Sequence, residues 1–558
     1  MEERNSHILS FLENRTAAYA ERIAVGMKSS YGWSEMTYKG VGLLSRKLAR
    51  YLIEDLEIKK GECLAILSES KPQYAPCVFA SVLTGTITVP LDIKLSKHEL
   101  KSILSDCQPT VLICSQHYLE TALYLQKEIP SIQHILVNDE HANYGDIKNI
   151  YDLPDKYDAK WRQRSSKSTA LIIYTSGTTG APKGVEISFA NVNAQLEDLT
   201  YAIGKIIKNN PHTTMLSILP MNHLFEMTVG FSTFLSFGHT VYYTTSLKPN
   251  DIACVMQEKK VEFMLVVPAF LKLLKAGVEK KINSLPLAAK CIFNIMYHLA
   301  RFIPSYNIRR KLFKKIHAAF GGKFWGCISG GAPLDPEVGK FFERIGIRVY
   351  QGYGLSETSP VVSVNWDRPG IMTSVGHPLP HFEAVTDSST GELLLRGPSV
   401  MKGYHNQPEM TAEVIDENGW LHTGDIAKID SHGHIFITGR IKNMIVLQGG
   451  KKVFPEEVEA ILEESNYIAE SCVLGTVREF GAKDGTEEVT AVIVPKSELY
   501  GSYSEEDIDR MIRLDVKSLS EKLASYKRPT TVIISKDPLP KTTTMKVKRK
   551  EVKALIHA

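Results

Sequence analysis

YTSGTTGAPKGV, running from Tyr174 to Val185, follows the apolar run at 170–173 and packs hydroxyl, glycine and lysine donors into one turn. That order predicts a short strand feeding a loop that holds a polyphosphate. Gly177, Gly180 and Gly184 let the backbone approach an anion, Thr175, Ser176, Thr178 and Thr179 supply donors, and Lys183 supplies a point charge. The spacing is not that of the GxxxxGK[ST] loop, because Ala181 and Pro182 separate Gly180 from Lys183. A plain Ser/Thr/Gly turn is the competing reading, and so long an ordered motif weighs against it.

Around this loop, β-branched runs alternate with longer amphipathic stretches: CLAIL at 63–67, TVLIC at 110–114, HILVN at 134–138, MLSIL at 215–219 and FMLVVP at 263–268. The alternation predicts layered α/β structure with largely parallel sheets. After about residue 376, strands such as GELLLRG (391–397) and HIFITGR (434–440) lie between Gly, Asp and Asn turns, which fits a small β-rich subdomain. From Pro455 the order helix, strand, strand, long helix, strand predicts a compact α+β domain. The expected division is 1–439, with the β-rich part at about 376–439, followed by 440–558.

Composition bounds the function classes. At 558 residues and 43% hydrophobic, the chain has enough apolar material for more than one core. A net charge of +4 gives no global nucleic-acid signature. The eight cysteines are scattered without a CxxC pair or zinc spacing, so reduced core thiols in a cytoplasmic protein are expected. MEERNSHILSFLENR opens acidic and mixed, unlike a targeting segment, and the apolar stretch 77–93 contains Gly85, threonines and Pro90, which suits a buried helix running into a strand.

The loop resembles the phosphate-binding signature of the adenylate-forming superfamily, which holds acyl-CoA synthetases, peptide-synthetase adenylation domains and firefly luciferase. Other stretches match in the family's order: LPMNHLFEM at 219–227, SGGAPL at 329–334, YQGYGLSETSP at 350–360, GWLHTGD at 419–425, GRIKNMIVLQGGKKVFPEEVE at 439–459 and PLPKTTTMKVKRK at 538–550. Together they span most of the chain. The resemblance implies a large N-terminal adenylation domain and a small, mobile α+β C-terminal domain hinged at Lys442, two residues after Arg440. Alone, Lys442 reads as a surface lysine.

The chemistry implied follows from the weakness of a carboxylate as an electrophile. Attack of the carboxylate on the α-phosphate of ATP gives an acyl adenylate and pyrophosphate; a thiol then displaces AMP. Positive charge and hydrogen-bond donors must stabilise the transferring phosphorus. The resemblance gives that task to Lys546, although Met545 stands where many relatives have glycine; alone, the run from Lys541 to Lys553 reads as a solvated basic tail. It makes Glu357 a Mg²⁺ ligand together with Thr178, and places nucleotide contacts at Thr175, Ser176, Gly177, Thr178, Thr179, Gly180 and Lys183. Further contacts fall at Ser329, Gly330, Gly331, Ala332 and Pro333, the turn that walls one side of adenine, and at Gln351, Gly352, Tyr353 and Gly354, with Tyr353 against the base. Ser356 donates to the α-phosphate, Asp425 accepts the ribose hydroxyls, and Arg440 and Lys442 complete the nucleotide set. His223 borders the acyl carboxylate, with Phe225, Met227 and Val267 as tunnel residues; taken alone, a histidine and three apolar residues read as structural.

The implied substrate is a medium- to long-chain fatty acid, and the implied acceptor is coenzyme A or the phosphopantetheine of an acyl carrier protein. LAAKCIFNIMYHLARFI at 287–303 is apolar at helical spacing, and IRRKLFKKIHAAFGGK follows with Arg309, Arg310, Lys311, Lys314 and Lys315. Such a basic amphipathic region fits peripheral attachment at the inner membrane surface. A solvated helix packed on the core by its apolar face fits equally well. A reading of another class, a nucleotide-binding scaffold or sensor without turnover, has no chemical need for Lys546, Glu357, Asp425 and an intact phosphate loop together.

Overall fold

Each apolar run named above becomes a strand in the computed structural model, which describes residues 14–29, 32–140, 146–162, 164–175, 182–207, 212–244, 246–367, 371–447, 451–477, 487–542 and 546–556. By contacts the chain falls into two units, one of Met1–Met372, Gly376–Glu383 and Leu395–Leu421, the other of Thr373–Val375, Ala384–Leu394 and His422–Ala558.

The larger unit is built on two sheets. In the nine-stranded one, Arg348–Tyr353, Gly326–Ser329, Phe263–Val266, Thr214–Ser217 and Thr240–Tyr243 are successive parallel neighbours. These central strands are buried almost throughout, which is why they read as continuous apolar runs and not as alternating ones. The eight-stranded sheet contains the parallel neighbours Ile87–Pro90, Cys63–Leu67, Val111–Cys114 and His134–Val137. The stretch 77–93 forms the end of the fully buried helix Tyr74–Thr84 and then the strand Ile87–Pro90, with Gly85 in the left-handed conformation that ends the helix.

Thr169–Thr175 and Lys183–Ser188 pair antiparallel in that second sheet, with Thr175 opposite Lys183. Gly184 has a packing reason to be glycine: a Cβ there would lie 2.9 Å from Ile172 Cγ2 and 3.1 Å from Tyr174 Cε1.

In the smaller unit, Leu421–Ile429 and Ile435–Arg440 form an antiparallel pair within a four-stranded sheet. Ile468–Val477 pairs antiparallel with Glu487–Pro495, which pairs parallel with Thr531–Ile534. Helices Pro455–Leu462 and Glu505–Ser520 bury Val458, Leu462, Ile508, Ile512 and Val516 against this sheet. The order expected from Pro455 onward is the order observed.

Candidate active site

The larger unit carries one group of expected residues along a single sheet edge. Parallel strands all present their C-terminal ends on the same side, the usual place for ligands in α/β sheets. Ser329 ends Gly326–Ser329 and lies in register with Gln351 on one neighbouring strand and Val266 on the other. Gly330 follows, donating its N–H to Val266 O at 3.1 Å. A Cβ on Gly330 would lie 2.9 Å from Phe225 Cζ, so the glycine admits the Phe225 ring and joins the SGGAP turn to the LPMNHLFEM segment. Val267 Cγ1 lies 4.0 Å from the same construction at Gly331, where φ is +82° and a side chain is strained in any case. Met227 is buried. Ala332 and Pro333 complete the turn.

Gln351 is buried and its amide donates to Met372 O at 2.9 Å, a structural use of that side chain. Gly352 and Tyr353 finish the strand, and Gly354 is obligatory, because a Cβ there would fall 1.8 Å from Pro360 O. Ser356 and Glu357 follow in the short helix Ser356–Thr358. His223 is half-buried on the turn that enters the π-helix Phe225–Thr233; its carbonyl accepts from Met227 N at 3.0 Å. Among the phosphate-loop residues, Thr175 and Lys183 are described, whereas Ser176, Gly177, Thr178, Thr179 and Gly180 lie outside the described residues.

Tyr404 was not anticipated. It lies in the strand Gly403–Tyr404, opposite Val185 beside the hairpin, and its hydroxyl donates to Glu357 Oε1 at 2.8 Å. Lys183 Nζ sits 5.2 Å from the centroid of the Tyr404 ring. One side chain thereby ties the base of the phosphate loop to the expected metal ligand. That hydrogen bond comes from a neutral donor, and a carboxylate so placed is the kind of oxygen ligand a hard cation such as Mg²⁺ selects.

Glu226 was also unassigned. It is fully buried, and neither carboxyl oxygen has a hydrogen-bond partner among the described residues. Burial pushes its pKa up to about 8, with the nearby Ser217 hydroxyl pulling the other way. Gly230 makes room for it, since a Cβ there would lie 2.4 Å from Glu226 Oε1.

The smaller unit gathers the charges. Asp425 and Arg440 are register partners across the antiparallel pair, with Arg440 Nε 2.5 Å from Asp425 Oδ1. Asp425 is buried, and Gly424 ahead of it adopts φ +69° with its N–H donated to Glu392 Oε1 at 2.8 Å. Lys442 is exposed in the single turn Ile441–Asn443.

Lys546 is held by its backbone. Thr542 N donates to Lys546 O at 2.8 Å, Lys546 N donates to Thr542 Oγ1 at 3.1 Å, and Lys541 bridges to Val547. On one side Lys541 Nζ pairs with Glu470 at 2.5 Å; on the other, Arg549 makes a charge-assisted fork onto Glu459 at 2.6 and 2.5 Å. Although Lys546 is exposed as a residue, its ammonium is held below the usual lysine range, first by lost hydration and then by the Arg440 guanidinium. Asp425 opposes that shift and Lys442 adds to it. The unit thus brings Asp425, Arg440, Lys442 and Lys546 within electrostatic reach of one another, in a setting where an arriving anion relieves repulsion.

The profile of the AMP-binding enzyme family matches residues 12–405, and that of the AMP-binding enzyme C-terminal domain matches residues 442–557. A long-chain-fatty-acid–CoA ligase of Escherichia coli O157:H7 is 26% identical, the alignment covering 99% of this chain and 95% of that protein. Luciferin 4-monooxygenase of Photinus pyralis is 28% identical, covering 88% and 84%. The crystal structure of ATP-bound MatB from Rhodopseudomonas palustris shares the fold, with a TM-score of 0.78 at 23% identity over 99% of both chains.

Proposed function

We propose a function from one premise: the chain belongs to the AMP-binding enzyme family. It activates a medium- to long-chain fatty acid with ATP and passes the acyl group to a phosphopantetheine thiol, that of coenzyme A before that of a carrier protein. A carboxylate oxygen attacks the α-phosphorus, the bond to the β-phosphate oxygen breaks, and pyrophosphate leaves. The thiol then loses its proton, its sulfur attacks the acyl carbon, and AMP departs with the former carboxylate oxygen.

The roles follow from the chemistry of the side chains. Lys546 meets the negative charge building between carboxylate and α-phosphate, and its raised acidity in the absence of an anion favours that encounter. Asp425 accepts the ribose hydroxyls beside Arg440. The SGGAP turn and Tyr353 flank the base, Ser356 donates to the α-phosphate, and His223 borders the acyl carboxylate. Glu357, oriented by Tyr404, suits Mg²⁺, which when bound with the polyphosphate would spread the charge of the leaving group. Lys442, in the exposed turn just past Arg440, serves as the hinge between a domain ending at residue 439 and one beginning at 440. Cytoplasmic location belongs to the same proposal; among the described residues no helix is long and apolar enough to cross a membrane.

The observation that carries this reading is the joint presence of the Asp425–Arg440 pair and the clamped Lys546 in one unit. A chain-length series with coenzyme A and holo carrier protein as competing acceptors tests it. Long-chain acids should give acyl-CoA as the main product. Main product on the carrier protein would move the acceptor assignment, and no thioester from any acid would support the scaffold reading.

A further inference from the structure

Helix Leu287–Ala300 is apolar on both sides, and only one side is packed. Its inner face is accounted for: Phe293 stacks on Tyr297 at 5.8 Å and meets Phe313 edge-on at 5.7 Å, Tyr297 lies 5.9 Å from Phe341, and Ala300 is fully buried. Its outer face carries Ile292, Ile295 and Leu299 at helical spacing, 58%, 60% and 56% exposed, with Leu287 at 79% before them and Phe302 at 69% after. Lys290, Asn294 and His298 mark a polar stripe between the two apolar faces, and the core already has one of those faces. Scattered single apolar residues need no explanation, but a contiguous stripe marks an interaction site.

The charge around this stripe is as uneven as its hydrophobicity. Between residues 268 and 323 twelve lysines and arginines stand against one acid, Glu279, giving +11 in a chain whose total is +4. The structure separates those cations by use. Arg309 donates to Ile303 O and Glu343 O, and Arg310 to Phe324 O and Gly322 O, so both are committed to the fold. Lys311, Lys314 and Lys315 are exposed, the last two immediately after Phe313, which packs on Phe293. Arg301 lies 4.4 Å from the Phe302 ring.

We infer that the outer face of helix Leu287–Ala300, with Leu287 and Phe302 at its ends, docks on an anionic lipid surface together with the exposed Lys311, Lys314 and Lys315 of the segment that packs on the helix through Phe313. The helix is 14 residues, about 21 Å, against the ~20 residues a span requires, so it lies in the interface and does not cross. An acidic protein would use the cations but has no call on five exposed large apolar side chains; a bilayer with anionic headgroups uses both. The inference goes beyond the ligase reading and stands without it, because it rests on the surface alone.

Flotation of the full chain with vesicles tests it. The protein should float with phosphatidylglycerol/phosphatidylcholine vesicles and markedly less with phosphatidylcholine alone. Combined Ile292→Gln, Ile295→Gln and Leu299→Gln should cut the bound fraction at least about tenfold, as should Lys311→Glu, Lys314→Glu and Lys315→Glu. Both variants replace exposed residues and should melt and turn over a water-soluble acid as the parent does. Native Cys291, exposed on the same helix, should react more slowly with a water-soluble maleimide when anionic vesicles are present. The inference is overturned if the parent does not float, or if both variants float as well as the parent. Variants that lose transfer to an acidic carrier protein while still floating would reassign the face to that protein, and self-association through the face at assay concentration would reassign it to a second copy. Flotation needs no turnover, so failure of the ligase reading would appear only in the pyrophosphate assay.

Discussion

Glu357 in the larger unit is steadied by a neutral phenol, and Lys183 beside it rests over an aromatic ring, whereas in the smaller unit Asp425 meets Arg440 ion to ion and Lys546 lies within reach of Arg440 and Lys442. The difference lies in the partners: the first arrangement sets a carboxylate against a neutral hydroxyl, and the second sets an ion pair beside further cations. On the proposed function, an anionic ligand would suit the cations of the smaller unit, and a divalent cation would suit the Glu357 carboxylate.

Removing the Lys546 ammonium should do the most damage. Lys546→Ala is expected to slow adenylation about 10³-fold while sparing thiolysis of a supplied acyl adenylate, as single-turnover assays of each half-reaction would show. Equal loss of both halves would break the comparison drawn above. The lowered pKa of Lys546 in the anion-free protein also fixes a sign: its charge is lost as pH rises, and earlier than for an ordinary lysine, so the alkaline limb of the kcat/KM profile for adenylation should begin early and should move upward in Lys546→Arg.

Next in size is the hinge. Lys442→Pro should leave adenylation near the parent rate and depress thioester formation about 10²-fold, and unchanged thioester formation would show that Lys442 is only a surface lysine.

A smaller effect is expected on the neutral side of the comparison. Tyr404→Phe deletes the hydroxyl that orients Glu357, and should raise KM for Mg²⁺–ATP about tenfold with a smaller change in kcat. A variant with parental KM would mean that Glu357 needs no such support.

Smallest is a stability effect. Glu226 in the fold stays neutral up to about pH 8, whereas an unfolded glutamate ionises near 4.5. Its contribution to stability is therefore whole below pH 4.5, is lost progressively as pH rises between those values, and is gone above about 8. Glu226→Gln, which has no proton to lose, should melt about 2 °C above the parent at pH 9 and closer to it at pH 6.

Gly354, Asp425 and Arg440 were legible only through the family motifs; that a Cβ at 354 would meet Pro360 O, and that Asp425 faces Arg440 across an antiparallel pair, the neighbouring backbone alone supplies. The parallel strands were visible as continuous apolar runs because burial on both sides removes the polar alternation. Tyr404 was invisible because it meets Glu357 from 47 residues away, through a two-residue strand that no periodicity announces. Glu226 was hidden differently: a carboxyl in an apolar segment reads as an ordinary surface glutamate unless its surroundings are known. The helix at 287–300 shows the same limit, since periodicity reveals apolar faces and only packing tells which of two is covered. At Gly184 the expected reason, approach to an anion, is joined by a packing reason that only the neighbouring side chains supply.

The central claim is that this chain joins a fatty acid to AMP with loss of pyrophosphate. Fatty-acid-dependent exchange of labelled pyrophosphate into ATP, measured with the parent and with Lys546→Ala, tests it most directly. The account predicts exchange that requires both the acid and the ammonium at position 546; no exchange with short, medium or long acids, or exchange undiminished in the variant, would contradict it.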